Sequence, residues 1–204
     1  MLLLSRDVIL SFLGEIQSNT QDDSIIPNTI VDKRVRETII SWDLDTPSEQ
    51  LELAIMTGSM VGALAYSHTP LEFQITFALF SFIIACFDDS VIAPQARREF
   101  VHRYHFQKTQ LHPLLDKLVS ISLEISQKLP PYSGNLFLAG VLQYSNEDVL
   151  YMDQPAILRD LLSPDAKQYV EYVRMADGIA PPFVTAIWPQ ELFPDIKEYV
   201  QVLP

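Results

Sequence analysis

The sequence predicts an all-α chain, and three observations carry that prediction. Apolar residues recur at helical spacing through most of the 204 residues, and no segment shows the strict alternation of a half-buried strand. A hydroxyl residue followed by proline stands ahead of an apolar run at Thr46-Pro47, Thr69-Pro70 and Ser163-Pro164. Proline is favoured in the first helical turn, where its missing N–H has no partner to lose. Glycine is scarce, with 6 in the chain, which argues against a β-rich fold built on tight glycine turns.

Each element follows from local pattern. Residues 2–18 place Leu3, Val8, Ile9, Phe12, Leu13 and Ile16 near helical spacing, and the polar stretch Gln17 to Pro27 reads as a loop. A short helix over Asp32–Trp42 puts Val35, Ile39 and Trp42 on one face. Thr46-Pro47-Ser48-Glu49 reads as a capping box, with the hydroxyl at the N-cap, proline at N1 and glutamate at N3. It launches a helix through Met60 to about Ser67, on which Gly58 and Gly62 share a face and allow a close helix approach. The same signal at Thr69-Pro70-Leu71-Glu72 starts the most apolar helix, which ends at Asp88-Asp89.

Pro94 opens a helix over roughly Gln95–Gln107, and His112-Pro113 marks a break. Leu115, Leu118, Val119, Ile121, Leu123 and Ile125 keep helical register through Leu114–Lys128 until Pro130-Pro131. Ser133 is the expected cap of a helix to about Met152, and Ser163-Pro164-Asp165 leads into Tyr169–Gly178. Pro181-Pro182 breaks the chain before short helices at Phe183–Trp188 and Asp195–Val202. Neither repeats nor low-complexity segments are visible.

Composition bounds the function. The length suits one domain, and 48% apolar against 20% charged residues suffices for a packed core. Lys and Arg total 14 and Asp and Glu 26, for a formal net charge of −12. So acidic a chain is a poor partner for nucleic acid or an anionic membrane surface. The single cysteine, Cys86, excludes an intramolecular disulfide framework and a multi-thiolate metal centre, and points to a reducing, cytoplasmic compartment. Arg6 and Asp7 interrupt the apolar start Met1-Leu2-Leu3-Leu4, so no secretory leader is expected. The greasiest run, Ile75 to Phe87, is 13 residues long. A membrane span needs about 20, so a helix buried in a core is expected.

Two places call for a chemical explanation. Asp88 and Asp89 end a helix, where the backbone already carries partial negative charge. They follow an apolar run, so at least one is expected to face a dry interior and to need a cation, a proton or an ion-pair partner. Mg²⁺ suits such oxygen donors. The plainer alternative is an exposed pair where the buried helix emerges. The second place is Tyr172-Val173-Arg174-Met175-Ala176-Asp177-Gly178. Arg174 and Asp177 share a helix face, and an arginine fixed by an aspartate can fork onto a phosphate. The plainer alternative is a surface ion pair before a glycine C-cap.

Asp88-Asp89 at the end of an apolar helix, with Arg174-x-x-Asp177-Gly178 beginning 86 residues later, resembles the pattern of class I terpene synthases. The segment Tyr172 to Phe193, with Ala186-Ile187-Trp188-Pro189-Gln190, is similar to the trichodiene-synthase-like branch. The resemblance implies an all-α class I terpenoid synthase bundle. It implies Mg²⁺ on Asp88 and Asp89, a diphosphate sensor at Arg174, a linker at Asp177 and an effector carbonyl at Gly178. The implied substrate is an isoprenoid diphosphate, usually the C15 farnesyl compound, which loses diphosphate and cyclises as a carbocation. Such a cation needs a dry pocket steadied by aromatic faces. Phe73, Phe77, Phe80, Phe82 and Phe87 are candidates for lining it, and ordinary core packing is the alternative for each.

Departures from the pattern shape a further expectation. Ile92 stands where the Asp-rich motif usually has another acid. The family's Asn/Ser/Glu metal triad and its later arginine–tyrosine pair have no counterpart before Pro204, 30 residues after Arg174. Residues 1–204 are therefore expected to form the N-terminal portion of one terpene-synthase-like domain, with the C-terminal helices missing. That counts against turnover by this chain alone. Apolar faces left uncovered would favour pairing with another copy. The competing expectation is a non-catalytic all-α interaction protein. His102, His105 and His112 lie among Arg97, Arg98, Arg103 and Lys108 and read as a solvated polar face rather than a metal site; Cys86 reads as buried and inert.

Overall fold

The computed structural model describes residues 29–89, 91–153 and 179–200. These residues form seven α-helices and no strand. In chain order they are α1 (Thr29–Ser41), α2 (Ser48–Met60), α3 (Leu71–Asp88), α4 (Pro94–His105), α5 (Pro113–Gln127), α6 (Pro131–Asp153) and α7 (Ala180–Thr185). A π-helical turn, Val61–Ala65, continues α2, and a 3-10 turn, Ile196–Glu198, lies within the described part of the expected helix at Asp195–Val202, whose last two residues lie outside the described ones. The expectations for residues 2–27, for the start at Ser163 and for Tyr169–Gly178 lie outside the described residues.

Helix α3 is the axis of the bundle. Its buried residues run from Phe73 to Phe87, interrupted by half-buried Ala85. Helices α1, α2 and α5 pack around it, while α6 packs on α4, α5 and α7. By length and mean hydropathy α3 is apolar enough to cross a membrane, yet 78% of that window is buried inside the protein. It is a core helix, longer than its 13-residue apolar run because polar turns extend it. Gln74 lies buried within it and donates to the Thr69 carbonyl at 2.8 Å. Thr76 donates to the Glu72 carbonyl at 2.8 Å. Such bonds offset the cost of placing polar groups in a core.

The two glycines of the α2 segment act as expected. A Cβ on Gly58 would lie 2.5 Å from the Ala78 carbonyl oxygen and 2.8 Å from the Phe82 nitrogen. One on Gly62 would lie 2.5 Å from the Gln74 carbonyl oxygen. Backbone therefore packs directly on backbone between α2 and α3.

Several start signals shift. Pro47 and Pro70 occupy the N-cap positions themselves, with ψ of 134° and 145°, and neither helix has a side-chain cap hydrogen bond. Thr69 instead donates to the Tyr66 carbonyl at 2.8 Å, closing the preceding turn. Pro94 and Pro113 do open their helices, and His112 caps α5 by accepting the Leu114 N–H at its Nδ1, 3.2 Å away. Ser133 is not a cap. α6 already begins at Pro131, so Ser133 sits buried in its first turn. Pro181 and Pro182 likewise lie inside the first turn of α7 rather than breaking the chain before it, a place where proline loses no helical bond.

The segment after residue 178 closes over the bundle. Tyr66 donates to the Phe183 carbonyl at 2.6 Å, and the Gln190 N–H donates to the Lys128 carbonyl at 2.9 Å. Trp188 stacks on Tyr199 with ring centroids 5.2 Å apart.

Candidate functional site

Burial along α3 stops abruptly at Phe87. Phe87 is fully buried, whereas Asp88 and Asp89 are both exposed. This corrects the expectation that one of the pair faces a dry interior. The helix ends at Asp88, where the Asp89 N–H donates back to the Ala85 carbonyl at 2.9 Å. The last turn therefore presents two carboxylates rather than burying one.

The negative helix end is compensated from α4. Arg97, almost fully buried, donates to the Phe87 carbonyl at 3.3 Å and to Asp148 Oδ1 at 2.7 Å. Its guanidinium also lies over the Phe87 ring, 5.6 Å from the centroid. The other face of the arrangement comes from α6. Tyr144 donates its hydroxyl to Asp88 Oδ1, and its ring packs 5.5 Å from that of Phe87. Asp148 lies one helical turn beyond Tyr144 and shares its face. Burial pushes the Asp148 carboxyl above the usual carboxylate range; Arg97 pulls it down and the Asp88 charge pushes it up. The Oδ2 atom of Asp148 is buried with no hydrogen-bond partner, which fits that shift.

Arg97, Tyr144 and Asp148 escaped the sequence reading. Arg97 sits in Gln95-Ala96-Arg97-Arg98-Glu99, which reads as a solvated face. A signal existed on α6: Phe137, Val141, Tyr144 and Asp148 follow steps of four, three and four. That spacing places Asp148 on the face that carries the core residues.

The phenylalanines of α3 are core. Phe77, Phe80, Phe82 and Phe87 have no exposed surface, and Phe73 has 4%. Phe77 and Phe80 pack ring against ring at 5.3 Å, and Phe80 meets Phe137 at 5.1 Å. Three surface cavities of about 590, 440 and 240 Å³ lie elsewhere, and neither Asp88 nor Asp89 lines any of them. Cys86 is buried, and burial together with the nearby Asp89 charge pushes its thiol up to about 12. Its burial is as expected. His102 and His105 are exposed on α4.

Arg174, Asp177 and Gly178 lie outside the described residues. Among the described residues no group of three or more His, Cys, Asp or Glu side chains is placed to hold a metal ion. The donor chemistry of Asp88 and Asp89 nevertheless fits Mg²⁺. This ion keeps several waters and takes one or two carboxylates, with substrate phosphates completing its shell. Asp88 and Asp89 are two adjacent exposed carboxylates of that donor type.

Comparison with known proteins adds a separate line. Protein-family models do not match the chain. It is 27% identical over 206 residues to Terpene synthase 29 of Postia placenta (strain ATCC 44394 / Madison 698-R), covering 98% of this chain and 57% of that protein. It is 26% identical over 204 residues to Monoterpene synthase 25 of the same strain, covering 98% of this chain and 59% of the relative. Over nearly its whole length the chain is similar to terpene synthases. It spans under two thirds of the length of these relatives. The all-α bundle agrees with the fold that the motif resemblance implies.

Proposed function

We propose that the protein is terpene-synthase-like and that its described helices carry the metal-facing part of a class I, trichodiene-synthase-like bundle. The observation that carries this reading is the exposed Asp88-Asp89 pair at the end of a buried helix, in a chain similar to terpene synthases over 98% of its length. Asp88 and Asp89 would hold Mg²⁺, which when bound neutralises and draws off a diphosphate leaving group. The remaining work belongs to the chain. By the motif resemblance, Arg174 would be the diphosphate sensor, its planar fork suited to phosphate oxygens, with Asp177 as the linker and Gly178 as the effector.

The substrate is an isoprenoid diphosphate. Farnesyl diphosphate is the first choice, and the C10 compound is tested beside it because one relative is named a monoterpene synthase. The reacting pocket would be completed by residues outside those described.

Thermal denaturation with Mg²⁺ and inorganic diphosphate tests this reading. The expected result is a raised Tm that Asp88→Ala and Arg174→Ala each abolish. A parent chain whose Tm ignores the combination refutes it.

A specific observation favours a second reading, a non-catalytic interaction protein. Leu53, Met56, Met60 and Leu64 form an exposed apolar stripe along α2 and its π-helical continuation, 66%, 43%, 37% and 49% exposed. Under this reading the chain associates as its concentration rises and shows no Mg²⁺-dependent response. Sedimentation with and without Mg²⁺ separates the two.

A further inference from the structure

An exposed metal ligand needs an orienting partner, because a carboxylate on a freely rotating side chain must lose that freedom each time an ion binds. Asp88 has such a partner in Tyr144. The hydroxyl donates to Asp88 Oδ1, and Tyr144 is itself buried in the face of α6. The backbone beneath Asp88 is also gripped. Arg97 takes the Phe87 carbonyl at 3.3 Å and covers the Phe87 ring on one side, while the Tyr144 ring packs 5.5 Å from it. Asp148 holds Arg97 at 2.7 Å. Groups from α4 and α6 thus converge on the last two residues of α3.

We propose that Tyr144 is a positioning residue for the Asp88 carboxylate, held in place with Arg97 and Asp148, and that it pre-orients that carboxylate for a divalent cation. This rests on the reading of Asp88 as a metal ligand. Tyr144 acts through Asp88 and touches neither metal nor substrate in this assignment. Loss of an outer partner of a metal ligand weakens metal affinity by about 10- to 100-fold.

The Tyr144→Phe variant keeps the buried ring and removes only the hydroxyl, so the fold has little reason to change. Isothermal titration of the full chain with Mg²⁺ alone reads the affinity. The expected result is a Kd raised about 10-fold or more, while the Tm without metal stays close to the parent's. In an Asp88→Asn background the same change should have no further effect on Kd, because a residue that acts through Asp88 has nothing left to orient. If the parent binds Mg²⁺ and Asp88→Asn weakens that binding, but Tyr144→Phe leaves the Kd unchanged, the positioning role is overturned and the reading of Asp88 stands. If Tyr144→Phe weakens binding equally in both backgrounds, the hydroxyl acts by another route and the proposal fails. If the parent binds no Mg²⁺, both fall.

Discussion

Replacing Arg97 by methionine removes the guanidinium from the junction of α3, α4 and α6 while keeping most of the side-chain volume. The Arg97 side chain is 7% exposed and that of Asp148 19%. Breaking a buried ion pair by deleting one partner costs about 3–5 kcal/mol. Asp148 retains some access to water, so the lower end, near 3 kcal/mol, applies to the pair. Loss of the cation over the Phe87 ring adds roughly 0.5–1 kcal/mol. The sum is a large fraction of the about 5–15 kcal/mol that holds a typical domain together.

The pH dependence follows from the same group. The folded Asp148 carboxyl lies above its unfolded value, so the native state binds the extra proton and stability falls as pH rises from the unfolded value through the folded one. Without Arg97 the folded value climbs further and this window extends upward. The deficit of the variant should therefore be smaller at about pH 5.5 than at about pH 7.5. Urea denaturation followed by far-UV circular dichroism measures both. Asp148→Asn added to Arg97→Met should recover part of the loss, since it removes the stranded charge. A deficit below about 1 kcal/mol, or one equal at both pH values, would refute the account of this ion pair.

Two further outcomes are expected elsewhere in the fold. Gly58→Ala places a methyl group against the backbone of α3, where nothing flexible can yield, and should destabilise by about 1–3 kcal/mol or more; a neutral result in urea denaturation would mean that α2 moves aside freely. His112 accepts a hydrogen bond at Nδ1, and burial holds its imidazole below the ordinary value of 6.5. The stability it contributes is present above that value and is lost as pH falls through the depressed one. His112→Asn keeps a good cap and should flatten this part of the stability–pH profile, whereas an unchanged slope would assign the titration to another group.

The helices were largely legible in the sequence because their apolar spacing was strong, and α3 most of all. Their first residues were less so. At Thr46-Pro47 and Thr69-Pro70 the preference for a hydroxyl N-cap competed with the extended ψ that each proline adopts, and the proline took the cap. The carboxylate pair was visible as a motif, but its environment was not. Burial stops at one residue, Phe87, and no periodicity within α3 marks that edge, since nearly every position before it is buried. The support beneath the pair comes from Arg97, Tyr144 and Asp148, each distant in sequence. Their convergence is a property of packing between helices, which spacing along a single helix does not encode.

The glycine contact between α2 and α3 has a mechanical consequence. Side chains form the compliant layer between most helices, and their rotamers absorb small displacements. At Gly58 and Gly62 that layer is missing, so the two rods are keyed together. Phe82, beside Gly58, is six residues from Asp88, about 9 Å along the rod. With no rotamers between them at this contact, the separation of the two rods is set by main-chain atoms alone, a short reach from the carboxylate end of α3.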